Sequence, residues 1–414
     1  MDNILTLALL AALLVMSAVR LWLARRQISY VSAHREKVPP GFADRIALGA
    51  HQKAADYTVA RTRFGRAGLV AEVAVLLALT LGGGLQALHD FWSTRLDGDG
   101  LVYGVAVIFS VIAISGLLDL QLALYRQFVI EEKFGFNRMT LGLFLVDLVK
   151  QLALGILIGT PVLLAVLWLM ERMGSLWWLY VWVFWCAFNL LMLFVYPTWI
   201  APLFNKFAPL DDAGLRERIE ALLTRCGFAS SGLFVMDGSK RSNHGNAYFT
   251  GFGKTKRIVF FDTLLCRLQA AEVEAVLAHE LGHFSHRHVL KRIGMLFALS
   301  LAFLALLGQL IDAPWFYGGL GLDTGNTALG LVLFFLVGPV FAFLLTPLLS
   351  LLSRRDEFAA DRYAAENASA EQLASALVKL YEDNAATLTP DPLHSLFYDS
   401  HPPAALRIAR LQAA

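Results

Sequence analysis

Seven stretches of about 20 mostly apolar residues, the length that crosses the hydrocarbon core of a bilayer, punctuate this chain. They cover 3–23, 67–88, 101–124, 149–170, 176–196, 294–311 and 328–352. Two long polar segments, 201–292 and 353–414, interrupt and follow them, and there the pattern changes period. Leu215, Ile219, Leu222 and Leu223 recur at helical spacing behind Asp211 and Asp212, which cap an amphipathic helix that Gly227 stops. Short extended runs follow at 233–236, 247–252 and 257–261, with Gly253-Lys254-Thr255 read as a hairpin turn between the last two. A further helix starts at Ala270, and its charged flanks Glu272, Glu274, Arg287, Lys291 and Arg292 predict a place at the membrane surface or in a wet cavity. The organisation expected is mainly α. Residues 1–200 hold five spans and their loops, 201–292 the first part of a small α+β lobe, 293–352 a hairpin of two spans, and 353–414 the rest of the lobe.

Composition agrees with a membrane protein: 57% of the residues are hydrophobic and 16% charged, against about 45–50% and about 25% in soluble domains. The net charge of +2, from 35 basic and 33 acidic side chains, points to no nucleic-acid partner. The three cysteines, Cys186, Cys226 and Cys266, are scattered and suggest neither a disulfide framework nor a metal site. The first apolar run lacks a basic start and is followed by Arg25-Arg26, so it is expected to remain as a span rather than be cleaved. Lysine and arginine cluster after spans one, three and seven, which places the amino terminus outside and both polar segments in the cytoplasm. Glu72, Asp119, Asp147 and Lys150 lie in or near spans and should line an interior surface or water-filled space, because ionised groups seldom face lipid.

The chemistry concentrates in His279-Glu280-Leu281-Gly282-His283. Four residues are little more than one helical turn, so His279 and His283 share a face and can grip one Zn²⁺ with Glu280 beside it, the pattern of metalloproteases. The bland alternative is a surface helix with two solvated histidines. A catalytic zinc needs a third protein ligand and an open position. Glu357 is the candidate, just after the last span, with Asp361 one turn on to accept a hydrogen bond from a ligand imidazole.

Stretches along nearly the whole chain resemble the type I CAAX prenyl endopeptidases, integral-membrane zinc proteases of the gluzincin kind. They include His51-Gln52-Lys53-Ala54-Ala55-Asp56-Tyr57, Glu131-Glu132-Lys133-Phe134-Gly135-Phe136-Asn137, Pro202-Leu203-Phe204-Asn205-Lys206-Phe207, Asn246-Ala247-Tyr248-Phe249 and His401-Pro402-Pro403 with Arg407. The resemblance implies one zinc per chain held by His279, His283 and Glu357, with Glu280 as general base. It implies that the Asn246-Ala247 backbone pairs with an extended substrate, and that His401 and Arg407 lie near the metal and stabilise the reacting carbonyl. His288 matches a family position, His286 does not, and His244-Gly245 departs from the usual histidine-serine. The fold implied is a seven-transmembrane-helix barrel around a hydrated chamber, with the metalloprotease lobe on the cytoplasmic side.

The activity implied is zinc-dependent hydrolysis of prenylated or membrane-associated polypeptides, including cleavage near a lipidated carboxyl terminus. Three alternatives stand beside it: a quality-control protease without prenyl specificity, a protease cutting within the membrane, and a metal-binding transporter or channel. The charged flanks of the histidine helix argue against the second. The alanine- and leucine-rich composition points to a bacterial inner membrane, with the endoplasmic reticulum as the eukaryotic equivalent.

Overall fold

Helices that are apolar on every face have no polar stripe to turn to water, so they gather in lipid. The computed structural model describes residues 2–98, 100–250 and 257–413. Among the described residues it has 6 helices long and apolar enough to cross a membrane, or up to 7 if one bent pair counts as a single span. In chain order the membrane part begins with α1 (Asp2–Ala33), α2 (Leu48–Leu79), α3 (Gly84–Ser93), α4 (Leu101–Tyr125), α5 (Leu141–Arg172) and α6 (Trp177–Val195). A short α7 (Ala201–Phe204) leads to β1 (Phe207–Pro209), α8 (Ala213–Arg225), β2 (Leu233–Met236), β3 (Ala247–Thr250), β4 (Arg257–Phe261), α9 (Asp262–Leu265) and α10 (Ala270–Ser285). The chain then re-enters the membrane part with α11 (His288–Leu310), α12 (Pro314–Gly318) and α13 (Thr327–Ala342). It finishes with α14 (Thr346–Asn367), α15 (Ala370–Asp383), α16 (Pro392–Tyr398) and α17 (Ala404–Gln412).

Among the described residues two large apolar cores result, beside a small cluster around Tyr57, Phe134 and Phe136. Leu9, Val107, Leu167, Leu307, Leu329 and Leu333 are buried at the centre of the membrane part, while α5 leaves Val149, Leu152, Ile156 and Leu157 exposed to lipid. The second core joins the two polar segments, with Ile219, Phe260 and Leu277 from the first packed with Ala364, Ala376 and Ile408 from the second. Phe42 and Ile46, from the connection between α1 and α2, plug into the same core and tie it to the membrane helices.

The lobe's sheet has strand order β1-β2-β4-β3. Its central pair, β2 and β4, is parallel, and β3 is antiparallel to β4 with Ala247 opposite Phe260 and Phe249 opposite Ile258. That order leaves β3 on the edge. The helix before β2 forms as expected: Asp212 accepts a hydrogen bond from Leu215 N at 2.9 Å, and Gly227 leaves it with a φ of 69°, a conformation that glycine adopts without steric cost.

Four features differ from the sequence expectations. The second apolar run is broken, α2 and α3 meeting at a bend of 49°. Gly82 and Gly84 there approach the carbonyl of Ala78 so closely that a Cβ on either would lie under 3.0 Å from it. The seventh run tightens into a short 3₁₀ turn at Phe343–Leu345 and continues as one span into α14, beyond the polar boundary expected at 353. The strand β1, too short and proline-ended to show alternation, pairs with β2. Glu272 and Glu274 are buried rather than solvated: Glu272 binds Lys379 and Ser375, each at 2.7 Å, and Glu274 binds Arg218 and Arg225. The turn read at Gly253-Lys254-Thr255, and the end of the run at 251–252, lie outside the described residues.

Candidate metal centre

The site is assembled where α10 crosses α14. Gln269 N donates to Glu272 Oε2 at 2.7 Å, fixing the start of α10, and one turn of spacing puts His279 and His283 on the same face. Gly282 lies between them, and the space where its Cβ would sit is 2.9 Å from Ala360 Cα and 3.0 Å from Tyr363 Cβ of α14. Only a residue without a side chain lets the two helices approach this closely. The approach brings Glu357 of α14 up to both imidazoles.

Ligand atoms of His279, His283 and Glu357 all lie within 4.8 Å of one another. His279 Nε2 is 3.4 Å from Glu357 Oε2, and His283 Nε2 is 3.3 Å from Glu357 Oε1. These separations match the edge of a tetrahedron, about 3.3 Å, around an ion with bonds of about 2.0–2.1 Å. Glu357 Oε2 is also buried with no hydrogen-bond partner, a costly arrangement unless a cation satisfies it. Two nitrogens and a carboxylate oxygen suit a catalytic zinc.

The surrounding groups orient these three. Asp361, one turn beyond Glu357, has Oδ1 2.9 Å from His279 Nδ1, which directs Nε2 at Glu357. Arg407 of α17 clamps Asp361, with Nε donating to Oδ2 at 2.9 Å and Nη2 to Oδ1 at 2.5 Å, and its Nη1 is 3.8 Å from Glu357 Oε2. Arg407 is therefore buried behind the carboxylates rather than turned to open space. His401 is turned outward: its side chain is 60% exposed, and Nε2 lies 3.4 Å from Glu357 Oε1. Arg354 holds the His401 loop by donating to the carbonyls of Ser395 and Asp399, at 3.2 and 2.8 Å.

One group, His288, is marked in the sequence by the family resemblance alone and not by helical spacing. His288 Nδ1 lies 3.0 Å from His283 Nδ1, and its Nε2 lies 3.4 Å from Asp356 Oδ1, so it backs the second imidazole as Asp361 backs the first. Helical spacing hides this, because Arg287 takes a left-handed turn, φ 57°, between α10 and α11. His286 is exposed and stacks on His288, ring centroids 5.4 Å apart.

Charge follows from this packing. Burial opposes an imidazolium at His279, but the Asp361 carboxylate at Nδ1 and the Glu357 carboxylate beside Nε2 outweigh it and raise the group to about 9. A cation taking Nε2 therefore displaces a proton. Burial pushes the half-buried Glu280 carboxyl above its ordinary range and makes it a better base, although the neighbouring histidines pull the other way.

Edge strand β3 lies beside the same helix, Phe249 packing on Phe284 at 5.0 Å between centroids. Asn246 Oδ1 accepts from Ala247 N at 2.8 Å, and the Asn246 carbonyl accepts from Phe261 N at 3.0 Å. An open cavity of about 880 Å³ lies beside Asn246. It adjoins one of about 520 Å³ among the membrane helices, with Arg20, Gly65 and Leu69 common to both walls. Glu72 and Asp119 line the second cavity, Glu72 pairing with Arg20 at 2.9 Å. Asp147 is buried against Arg241 at 2.8 Å, and Lys150 donates to the Leu203 carbonyl at 2.7 Å.

Comparison with known proteins matches residues 27–206 to the CAAX prenyl protease N-terminal family of five membrane helices, and residues 209–414 to peptidase family M48. The chain belongs to peptidase family M48. A CAAX prenyl protease 1 homolog of Arabidopsis thaliana is 38% identical over 74% of this chain and 73% of its own. One of Homo sapiens is 33% identical over 97% and 94%. The crystal structure of S. mikatae Ste24p superimposes with a TM-score of 0.90 at 31% identity, covering 98% of both chains. This M48 peptidase is accordingly a multi-pass membrane metalloendopeptidase of the CAAX prenyl protease type, mainly helical with a small sheet-bearing lobe.

Proposed function

We propose that the metal is one Zn²⁺, held by His279, His283 and Glu357, and that the enzyme cleaves prenylated or membrane-associated polypeptides on the cytoplasmic side of its membrane. The observation that carries the zinc assignment is the buried Glu357 Oε2, without a hydrogen bond and 3.4 Å from His279 Nε2. Zinc, when bound, would supply Lewis acidity toward a water and the scissile carbonyl. Glu280 takes the proton of the attacking water and delivers it to the leaving amine. The exposed His401 Nε2 donates to the developing oxyanion. Arg407 works one layer behind, holding Asp361 so that Asp361 holds the His279 ring. The free edge of β3 at Asn246 and Ala247 offers its backbone to an extended peptide.

Glu280→Gln keeps the shape and removes the base. Hydrolysis of a reporter peptide by the zinc-loaded variant should fall by about 10²–10⁴-fold, with zinc still bound at one per chain. Retained hydrolysis would refute the role. The prenyl preference suggested by the relatives' names is tested by pairing a farnesylated CAAX peptide with its unlipidated control; equal cleavage would favour the quality-control reading.

A further inference from the structure

The cavity beside Asn246 carries an excess of positive charge. Its wall includes three guanidinium groups, Arg20 of α1 and Arg61 and Arg66 of α2, against one acidic side chain, Asp399. Arg20 is committed to Glu72 at 2.9 Å. Glu131, which sits behind this face, is engaged by the Tyr57 hydroxyl at 2.7 Å and lies 3.6 Å from His244 Nε2. Arg61 rests over the Tyr57 ring, 5.3 Å from its centroid. Among the described residues, no carboxylate comes within ion-pair distance of Arg61 or Arg66. Gly65, between the two arginines, would place a Cβ in open space, with nothing within 4 Å.

Strand direction says what reaches this cavity. A peptide pairing antiparallel with β3 runs its carboxyl end past Ala247 and Asn246, and Asn246 is part of the cavity wall. A substrate that ends there presents a negative charge to two exposed guanidinium groups on the wall of an open cavity, where charge-assisted hydrogen bonds can form. We propose that Arg61 and Arg66 form a subsite for the free α-carboxylate of a polypeptide that terminates a few residues beyond the scissile bond. The inference rests on the hydrolase reading above and adds to it how the substrate's end is read.

The test is direct binding. Zinc-loaded Glu280→Gln protein in lipid nanodiscs is titrated with a labelled peptide ending in a free carboxylate and with the same peptide ending in an amide, read by fluorescence polarisation. The acid should bind at least about tenfold more tightly, the scale of a hydrogen bond to a charged group. Arg61→Gln with Arg66→Gln should bring that ratio to about one, whereas Arg63→Gln, exposed and outside the cavity wall, should preserve it. Gly65→Leu, which narrows the cavity and keeps both charges, should weaken acid binding independently of whether the double variant folds. Equal binding of acid and amide, or a ratio that survives the double change, overturns the subsite. So does an amidated peptide with a terminal aspartate that binds as tightly as the acid, since recognition would then be of any carboxylate. Preference in binding without cleavage of either peptide by the unaltered enzyme would overturn the hydrolase reading and leave the subsite standing.

Discussion

At the scale of single residues, the centre is a set of charges that need one another. The spacing of His279 and His283 is written in the sequence because one helical turn is a fixed length. Glu357 and Asp361 were legible for the same reason, each a turn from the other. What spacing does not encode is which partner a long side chain chooses. Arg407 reads equally well as a group facing substrate or as an ion-pair partner, and packing decides for Asp361. His288 was hidden by the left-handed Arg287, because a break in helical phase turns a five-residue separation into contact. Asp361→Asn, which keeps an acceptor for His279 but loses the charge, should weaken zinc binding about 10-fold, measured by competition with a chelator. Asp361→Ala should do worse, because it strands the buried Arg407 at a cost of about 3–5 kcal/mol in stability.

At the scale of elements, the crossing of α10 and α14 sets the geometry. Gly282→Ala places a methyl group against the backbone of Ala360, where no flexible side chain can yield. Thermal unfolding should show a loss of about 1–3 kcal/mol, and zinc affinity should fall with it as Glu357 is pushed from the histidines. The seat of α10 on α15 has a pH signature. Burial opposes ionisation of Glu272, but Lys379, the Gln269 amide and Ser375 outweigh it and hold the carboxyl below its ordinary 4.5. A depressed acid stabilises the fold above the unfolded value, and that contribution disappears as pH falls through the folded one. The stability gap between the native protein and Glu272→Gln should therefore be full near neutrality and close below about pH 4.5. A gap that persists in acid would show that the carboxylate charge is not responsible. Sequence periodicity found α8 and α10 because their apolar stripes repeat, and found β2 and β4 as short apolar runs. It read through the Gly82–Gly84 break, since a hydropathy window registers glycine as neutral and ignores backbone direction. It also read Glu272 and Glu274 as solvated, because a charged residue on a helix gives no sign that a cation waits on another helix.

At the scale of the whole molecule, two polar segments separated by a span hairpin fold around one core, and no periodic signal links them. Their combined size is what suggests one lobe in the sequence, and Leu277, Ala364 and Ile408 share its core. The family resemblance supplied the barrel around an interior space, which periodicity alone does not contain. Lobe and membrane part are joined at Asp147 of α5, buried and paired with Arg241, which also donates to Asn205 Oδ1 at 3.0 Å. Arg241→Ala leaves that carboxylate buried and alone, and should cost on the order of 3 kcal/mol. Faster limited proteolysis between the membrane part and the lobe, compared with the native protein, is the expected readout.

The helix that carries Glu357 continues the path of the last membrane span through the 3₁₀ turn at Phe343–Leu345. The proposed Glu357 donor is thus continuous with one span, while the two imidazoles ride on α10, which turns at Arg287 into another span, α11. Bilayer thickness or lateral tension that tilts the span would act as a lever on the distance between donor sets, making the surrounding lipid a determinant of how firmly the enzyme keeps its ion.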